Sequence, residues 1–313
     1  MKIAFFSELP FTGKTDRSHA NMRTEFAWFA ALNATHVSFR DIKSHNQNYD
    51  LGIVIFPKKL ADWTDIDVVS EIRKYCKRTA FMQEGPSWYF QDLPLEQSLW
   101  FYEQMMSVDV VFAHNDADLR YYSGLLEKPC YINPALMIED LLTNLPNITR
   151  ENAIIGGNFV RWYGGFDSYL VAQHFESEIW GPQMGRMQTE EKGIVGLNHL
   201  PYLNWKDWIV QLNRFKYAVH MMPVYGAGTF SLNCAFLGIP CIGINYNDTQ
   251  RLCFPDLSVD PNDLPKAKYL AAKLKNDVDF YNAMSASSKI YYKQHFSETV
   301  YLQHWQDIIA SLD

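Results

Sequence analysis

The sequence contains no long hydrophobic run and few cysteines. No apolar stretch among its 313 residues approaches the length of about 18 residues that a membrane-spanning helix needs. The start, MKIAFFSELPF, is interrupted by Glu8 and Pro10, which favours a buried strand over a signal peptide. The five cysteines are odd in number and include no C-x-x-C pair, which argues against a disulfide framework and a zinc site. These absences predict reduced thiols and a cytoplasmic location.

Positive charge is also in deficit. Lys and Arg number 28 against 35 Asp and Glu, a formal net charge of −7, which argues against non-specific nucleic-acid binding. The balance is uneven, with +3 in residues 1–80, −8 in 81–148 and −2 in 149–313. The basic stretch includes Lys58, Lys59 and the cluster within 73–78. It is read as a solvated helix face, with an anionic acceptor or a membrane surface as the alternative.

Several catalytic motifs are missing. Gly13-Lys14-Thr15 follows a predicted strand, but the P-loop pattern needs glycine where this chain has Glu8, and a carboxylate there would repel phosphate. No G-x-G-x-x-G with a following acid marks a nicotinamide site, and no G-x-S-x-G marks a hydrolase elbow. No convincing D-x-D motif is present either, so we expect no metal.

What the sequence does contain is a repeated alternation of strands and helices. Hydrophobic residues make up 48% of the chain and its length suits two domains of about 150 residues each. Near-continuous apolar runs favour parallel strands that are buried on both faces. Strands are predicted at 3–6, 36–39, 51–56, 79–82, 108–113, 130–132, 153–156, 177–180, 193–196, 217–221, 241–244 and 257–259. Helices are predicted near 19–33, 65–77, 94–106, 116–126, 166–175, 205–214, 229–237, 263–274, 277–294 and 298–312.

The pattern breaks at 143–152, where polar and turn residues replace the periodicity. The fold class is therefore α/β, with two doubly wound Rossmann-like domains facing a cleft. The domain boundaries are predicted at 1–148 and 149–296. The final helix, within 297–313, is expected to pack back on the N-terminal domain.

The strongest local signal is YAVHMMPVYGAGTFSLNCAFLGIPCIGI at 217–244. A strand leads into a turn at Gly226 and Gly228, and a short helix then runs from about Thr229 and stops at Gly238. Because a helix N-terminus attracts anions, this turn with its nearby hydroxyls predicts a cradle for a nucleotide pyrophosphate. An ordinary α/β turn capped by Thr229 is the alternative.

This segment resembles the donor-site motif of GT-B glycosyltransferases of the family-4 kind. The match includes Gly226, Gly228 and the later Gly238-x-Pro240, while Tyr225 and Asn233 stand where the family has acids. The resemblance implies a UDP-sugar or related nucleotide-diphosphate sugar bound by the second domain and an acceptor bound by the first. Asn233 would then hydrogen-bond a ribose hydroxyl.

The resemblance also implies further donor residues. Gly156-Gly157-Asn158 forms a second glycine turn, and Arg161 after it is the available cation for the donor phosphates, with Arg186 as a second candidate. His199 falls in the loop that often holds the nucleobase. The predicted donor-binding residues are Gly13, Asn158, Arg161, Arg186, His199, Tyr225, Gly226, Gly228, Thr229, Phe230, Ser231 and Asn233.

A shorter stretch resembles the phage α-glucosyltransferases that act on hydroxymethylcytosine DNA. It comprises Met82-Gln83-Glu84-Gly85 and the later VDVVFAHNDADL. Glu84 falls where those enzymes have a His-Asp pair close to the reacting sugar. We therefore predict that Glu84 and Arg161 are catalytic, Glu84 by activating the acceptor hydroxyl or stabilising a sugar cation. A helix-capping or surface role for Glu84 is the alternative.

The acceptor is expected to contact residues of the first domain. Lys14 follows the first glycine turn, His19 opens the first predicted helix, and His114 ends a strand. Trp88 offers an aromatic face to a sugar ring or a base. The predicted acceptor-binding residues are Lys14, His19, Trp88 and His114.

The sequence thus predicts an enzyme that transfers a sugar from a nucleotide-diphosphate sugar to an acceptor hydroxyl, with retention of configuration. The acceptor is a carbohydrate or a hydroxylated base in modified DNA, and a phage enzyme would act in the host cytoplasm. A nucleotide-sugar epimerase and a non-catalytic sugar-nucleotide-binding protein are the alternatives. No tightly bound cofactor is expected, and the oligomeric state is left open.

Overall fold

The computed structural model describes residues 1–56, 67–83, 85–183 and 189–312, with the backbone alone at Arg161. The chain groups into two compact units. The first comprises Met1–His19, Glu25–Pro134 and the residues from Leu302 onward. The second comprises Ala20–Thr24 and Ala135–Tyr301. A short N-terminal segment, 20–24, therefore belongs to the second unit although the residues on both sides of it belong to the first.

The first unit is built on a seven-stranded sheet. In chain order its strands are β1 (Ile3–Ser7), β2 (Gly13–Lys14), β3 (Thr35–Ser38), β4 (Tyr49–Phe56), β5 (Cys76–Gln83), β6 (Val110–Ala113) and β7 (Cys130–Ile132). Their order in the sheet is β2-β3-β1-β4-β5-β6-β7. All neighbours pair in parallel except β2, which pairs antiparallel with β3. The central strands are buried along almost their whole length, as expected for a parallel sheet covered on both faces.

Helices cover this sheet. They are α1 (Glu25–Ala31), α2 (Val68–Arg73), α3 (Leu95–Ser107) and α4 (Asp116–Leu125). Helix α4 begins after Asn115, whose side-chain oxygen accepts the Asp118 N–H at 2.9 Å. On one face of the sheet Phe81, Phe101 and Phe56 pack with ring centroids 5.3 to 5.5 Å apart, which fills the core between strands and helices.

The last helix, α11 (Glu298–Leu312), places its C-terminal part against strand β7. Trp305 is buried, stacks on Phe112 at 5.1 Å and donates its indole N–H to Asn133 Oδ1 at 3.1 Å. Ser311 and Tyr131 share a hydroxyl hydrogen bond of 2.8 Å. Buried apolar area and satisfied polar groups thus hold this helix in the first unit.

The second unit is built on a six-stranded parallel sheet. Its strands are β8 (Glu151–Ile155), β9 (Ile179–Gly181), β10 (Leu197–His199), β11 (Phe215–His220), β12 (Cys241–Ile244) and β13 (Ser258–Val259). Their order is β10-β9-β8-β11-β12-β13, the order of a doubly wound dinucleotide-binding sheet. The chain reverses its direction of travel across the sheet between β8 and β11, and open α/β sheets bind ligands at such a point.

The helices of the second unit are α5 (Gly165–Ala172), α6 (Trp205–Leu212), α7 (Thr229–Leu237), α8 (Asp248–Cys253), α9 (Leu264–Asn276) and α10 (Val278–His295). Side-chain caps fix several of their starts: Asn204 accepts the Asp207 N–H at 3.0 Å before α6, and Asp277 accepts the Phe280 N–H at 2.9 Å before α10. Among the helices in the described part of the chain, none is both long enough and apolar enough to cross a membrane.

The predicted α/β class with two doubly wound sheets is confirmed, while two local predictions are wrong and one helix is not predicted. The first helix covers only Glu25–Ala31 instead of 19–33. The strand predicted at 193–196 is absent, because Gly196 has a φ of +85° and turns the chain, and Val195 between the glycines is 92% exposed. Helix α8 has no counterpart in the prediction.

Candidate functional site

The carboxyl ends of β8 and β11 lie side by side in the second sheet. The loop after β8 contains the glycine turn 156–157, and the loop after β11 leads through 221–228 into α7. Gly156 allows the close approach of these loops, since a Cβ there would lie 2.5 Å from the ring of His220 and 2.7 Å from Phe230. The topology thus brings both predicted glycine turns to one edge of one sheet.

The turn that precedes α7 is held by side chains of α8 and of the residue before it. Asn247 Oδ1 accepts the Gly226 N–H at 2.8 Å, and Thr249 Oγ1 donates to the Gly228 carbonyl at 2.8 Å. Ser231 joins the same network, 2.7 Å from Thr249 Oγ1. Gly228 is left-handed with a φ of +65°. The Ser231 hydroxyl therefore helps to hold the turn in place. Gly228 occupies the N-cap position of α7, for which Thr229 was the alternative prediction.

A cavity of about 210 Å³ opens at this edge, entirely within the second unit. The cavity is lined by Thr229, Phe230 and Asn233 of α7. The first turn of α6 and the residues that follow β9 and β10 also line it. The lining residues are Met22, Arg23, Thr24, Leu136, Gly156, Pro182, Gln183, Pro201, Tyr202, Leu203, Trp205, Trp208, Thr229, Phe230, Leu232 and Asn233. Apolar and aromatic walls with a few polar groups are typical of small-molecule sites.

The segment 20–24 forms part of the cavity wall. Met22 is fully buried, the carbonyl of Ala20 accepts the backbone N–H of Lys206 at 3.1 Å, and Arg23 donates to the Leu203 carbonyl at 2.7 Å. The Arg23 guanidinium also lies 5.6 Å from the centre of the Tyr202 ring. No local sequence signal points to this segment, because its partners follow about 180 residues later.

Glu191 connects the predicted donor residue His199 to Phe159, the residue that follows the predicted Asn158. The Glu191 side chain accepts the Phe159 N–H at 3.0 Å, and His199 Nε2 donates to the Glu191 carbonyl at 3.1 Å. The Asn158 amide nitrogen and His199 Nδ1 are buried and find no hydrogen-bond partner among the described residues. Unpaired buried polar atoms are rare, so this edge of the sheet is suited to receive a polar ligand or water.

His220 at the end of β11 has the same property and was not predicted. Its Nε2 has no partner in the described part of the chain, and its ring packs edge-on against Phe230 at 5.1 Å. Burial lowers the pKa of His220 to about 4, because the charged imidazolium loses its hydration there. A neutral imidazole therefore stands behind the cavity wall at neutral pH.

Tyr225 stacks on Tyr246, with ring centroids 4.5 Å apart. Together with the residues described above, Tyr225 makes nine predicted donor residues that the structure places at the carboxyl edge of the second sheet. They are Asn158, His199, Tyr225, Gly226, Gly228, Thr229, Phe230, Ser231 and Asn233. Their role in binding a donor stays a prediction.

The remaining predicted residues of the first unit are more dispersed. His114 lies after β6, where its Nε2 donates to the Gln83 carbonyl at 3.0 Å and its ring lies 5.5 Å from Trp28. The His19 ring stacks on Phe26 at 4.7 Å. Trp88 packs near Tyr89 at 6.0 Å.

Gly13 and Lys14 form the short edge strand β2, with Gly13 opposite His36 and Lys14 opposite Thr35. The Lys14 amine donates to Asn33 Oδ1 at 2.6 Å, beside the start of β3. That position is at the amino end of β3, so the structure does not bring Lys14 together with His114 at the carboxyl edge.

Three predicted residues lie wholly or partly outside the described part of the chain. Glu84 and Arg186 lie outside the described residues, and so does the side chain of Arg161. The residues around position 84 are well fixed, since Gln83 accepts from the Tyr122 hydroxyl at 2.6 Å and the Ser87 N–H donates to Asp118 at 2.9 Å. Within the described ranges, no group of three or more His, Cys, Asp or Glu side chains is placed to hold a metal ion.

Comparison with known proteins gives similarity at the level of structure. No protein-family model matches the chain, and no curated protein matches it either. Sucrose-phosphate synthase from Thermosynechococcus elongatus superposes with a TM-score of 0.66 at 12% identity, covering 99% of this chain and 100% of that one. An α,α-trehalose 6-phosphate synthase from Burkholderia multivorans gives 0.66 at 8% identity, with 99% and 96% coverage.

The chain has the GT-B fold. A third similar structure of this fold is an α-glucosyltransferase in complex with UDP and a 13-mer DNA containing a hydroxymethyluracil base. It gives a TM-score of 0.60 at 13% identity and covers 99% of both chains. At these identities the similarity establishes the fold, and the predicted GT-B architecture is confirmed.

Proposed function

We propose that this chain is a glycosyltransferase that uses a nucleotide-diphosphate sugar as donor. The observation that carries the proposal is the cavity at the carboxyl edge of the second sheet, in a chain with the GT-B fold. Sucrose-phosphate and trehalose-phosphate synthases and a UDP-bound α-glucosyltransferase have this same fold. The donor would bind in the second unit and the acceptor in the first.

The composition of the cavity supports a nucleotide as its occupant. Trp205, Trp208 and Phe230 offer aromatic surface for a base. The start of α7 at Thr229, preceded by the tight Gly228 turn, presents backbone N–H groups and the positive end of a helix of nine residues. Such a helix start stabilises phosphate oxygens. The base would lie among the aromatic residues and the diphosphate near Gly156 and Thr229.

The reaction we propose breaks the bond between the anomeric carbon and the diphosphate oxygen. The acceptor hydroxyl oxygen then bonds to that carbon, its proton passes to a base, and the nucleoside diphosphate leaves. Glu84 is the proposed residue that assists the acceptor or the sugar cation, and Arg161 the proposed cation at the leaving diphosphate. Retention of configuration belongs to the same proposal, as does a metal-independent mechanism.

A DNA acceptor is the second candidate, next to a carbohydrate. The specific observation in its favour is the similarity to the α-glucosyltransferase in complex with DNA, which extends over 99% of both chains. The +3 balance of residues 1–80 suits a polyanionic acceptor. If the acceptor is DNA, activity must fall steeply as salt is raised, because released counterions contribute to binding.

The test measures release of nucleoside diphosphate from UDP-, GDP-, ADP- and TDP-sugars. Each is tried with free sugars, sugar phosphates and hydroxymethylated DNA as acceptors. A glycosyltransferase releases nucleotide faster with one acceptor class and yields a glycosylated product detectable by mass spectrometry. A nucleotide sugar that is converted to its epimer without acceptor, or that binds without turnover, would overturn the proposal.

A further inference from the structure

Among the described residues that line the cavity, Arg23 is the one cation, and none of them is a carboxylate. Arg23 is exposed to solvent, while one of its nitrogens donates to the Leu203 carbonyl at 2.7 Å. The neighbouring protein atoms lower the pKa of Arg23 by desolvation, yet an arginine stays charged at neutral pH. The described part of the cavity lining is therefore neutral except for the positive charge of Arg23.

No carboxylate in the described part of the chain forms an ion pair with Arg23. A guanidinium has five N–H donors in a planar fork, and the Leu203 carbonyl uses one nitrogen. The remaining donors are available to a ligand, and phosphate oxygens match the fork geometry. A guanidinium with no carboxylate partner among the described residues points to an anionic ligand group rather than to a neutral edge of a base.

The backbone beside Arg23 is held in an unusual conformation. Thr24 has a φ of +36°, in a region that β-branched residues rarely adopt. On the N-terminal side of Arg23 the segment 20–24 is held by buried Met22 and by the backbone hydrogen bond between Ala20 and Lys206. Strain of this kind persists where the surrounding structure imposes it, and it concentrates at ligand-binding segments. Both Thr24 and the neighbouring Arg23 line the cavity.

We propose that Arg23 binds a phosphate group of the nucleotide that occupies the cavity. This inference rests on the proposed function and adds to it a phosphate-binding residue from the N-terminal segment, far in sequence from the glycine turns. Arg23 acts on binding of the donor and of the product nucleotide alike, so its loss raises KM more than it lowers kcat.

The experiment compares the wild-type chain with Arg23→Gln and Arg23→Lys by isothermal titration. The probes are UDP, UMP and uridine, or the same series of whichever base the wild type binds most tightly. A lost charge-assisted hydrogen bond weakens UDP and UMP binding by about 10-fold or more in Arg23→Gln. Uridine, measured directly or by competition with UDP, is unaffected, and Arg23→Lys retains part of the affinity because the charge remains.

Salt gives a second readout. Wild-type affinity for UDP must fall more between low and high ionic strength than that of Arg23→Gln, because the variant has lost a cation whose attraction is screened. Arg214→Ala serves as the matched control, since it removes an exposed cation at the start of β11, on the opposite edge of the sheet from the cavity. It should leave UDP affinity unchanged.

Unchanged UDP affinity in Arg23→Gln overturns the inference, as does an equal loss for UDP and uridine, which would assign Arg23 to the base or ribose. Wild-type protein that binds no nucleoside diphosphate at all overturns the proposed function instead. Thermal unfolding of the unliganded variants must match wild type, and Arg23→Lys provides the comparison if Arg23→Gln unfolds early.

Discussion

Replacing Gly228 by alanine tests the tight turn that shapes the proposed phosphate site. Gly228 has a φ of +65°, where an alanine costs about 1–2 kcal/mol. Its Cβ would lie 1.9 Å from Thr249 Oγ1 and 3.1 Å from Thr249 Cβ. Overpacking of this kind costs a further ~1–3 kcal/mol. We therefore expect the free energy of unfolding to fall by about 2–5 kcal/mol.

The assay is urea unfolding followed by tryptophan fluorescence, with nucleotide binding measured on the same variant. Gly193→Ala is the control, because its Cβ would meet no heavy atom within 4 Å and its φ is not left-handed. We expect that control to stay within about 0.5 kcal/mol of wild type. The double variant with Thr249→Ala separates the cost of the left-handed backbone from the cost of overpacking, since it removes the oxygen that the new methyl would meet.

The energies of the two single variants should therefore not add. The double variant should be less destabilised than their sum by roughly 1 kcal/mol or more, the size of coupling found between residues in contact. A Gly228→Ala protein as stable as wild type, with unchanged nucleotide affinity, would refute a left-handed turn packed against Thr249.

Three further predictions concern titration and the proposed chemistry. Burial lowers the pKa of His220 and His36 to about 4, from 6.5 in the unfolded chain, so the unfolded state takes up protons first. The contribution of these two histidines to the free energy of unfolding should be constant above about pH 7 and fall by about 3 kcal/mol per histidine as pH drops towards 4. In urea titrations at a series of pH values, His220→Phe should remove part of that pH dependence. Arg161→Ala should weaken nucleoside-diphosphate binding about 10-fold or more in calorimetry by removing a cation at the phosphates, and unchanged affinity would contradict its assignment. Glu84→Gln should cut turnover by about 100-fold with donor affinity retained, and near-normal nucleotide release would remove Glu84 from the mechanism.

Local signals made much of the second unit predictable. Gly238 ends α7 in a left-handed conformation, as its place before Pro240 indicates. Near-continuous apolar runs identified the buried parallel strands. The polar break at 143–152 falls between the strands of the first sheet and those of the second. The glycine turn before α7 identified the edge at which the cavity lies.

The parts that sequence missed depend on contacts between distant residues. Arg23 has no motif around it, and its relation to the cavity arises from Leu203, Tyr202 and Lys206. Helix α8 is only six residues long, too short for a periodic pattern to detect, although Thr249 near its start fixes the Gly228 turn. Residue types at strand ends predicted a site, whereas the packing of the loops decided which side chains form it.

The central claim is that a nucleoside diphosphate occupies the cavity of the second unit. A crystal structure of the chain with the nucleoside diphosphate that binds most tightly tests it most directly. We predict the base against Trp205 and Trp208, and the phosphates between Gly156, the start of α7 at Thr229, and Arg23. A tightly bound nucleotide located elsewhere, with this cavity empty, would contradict the account.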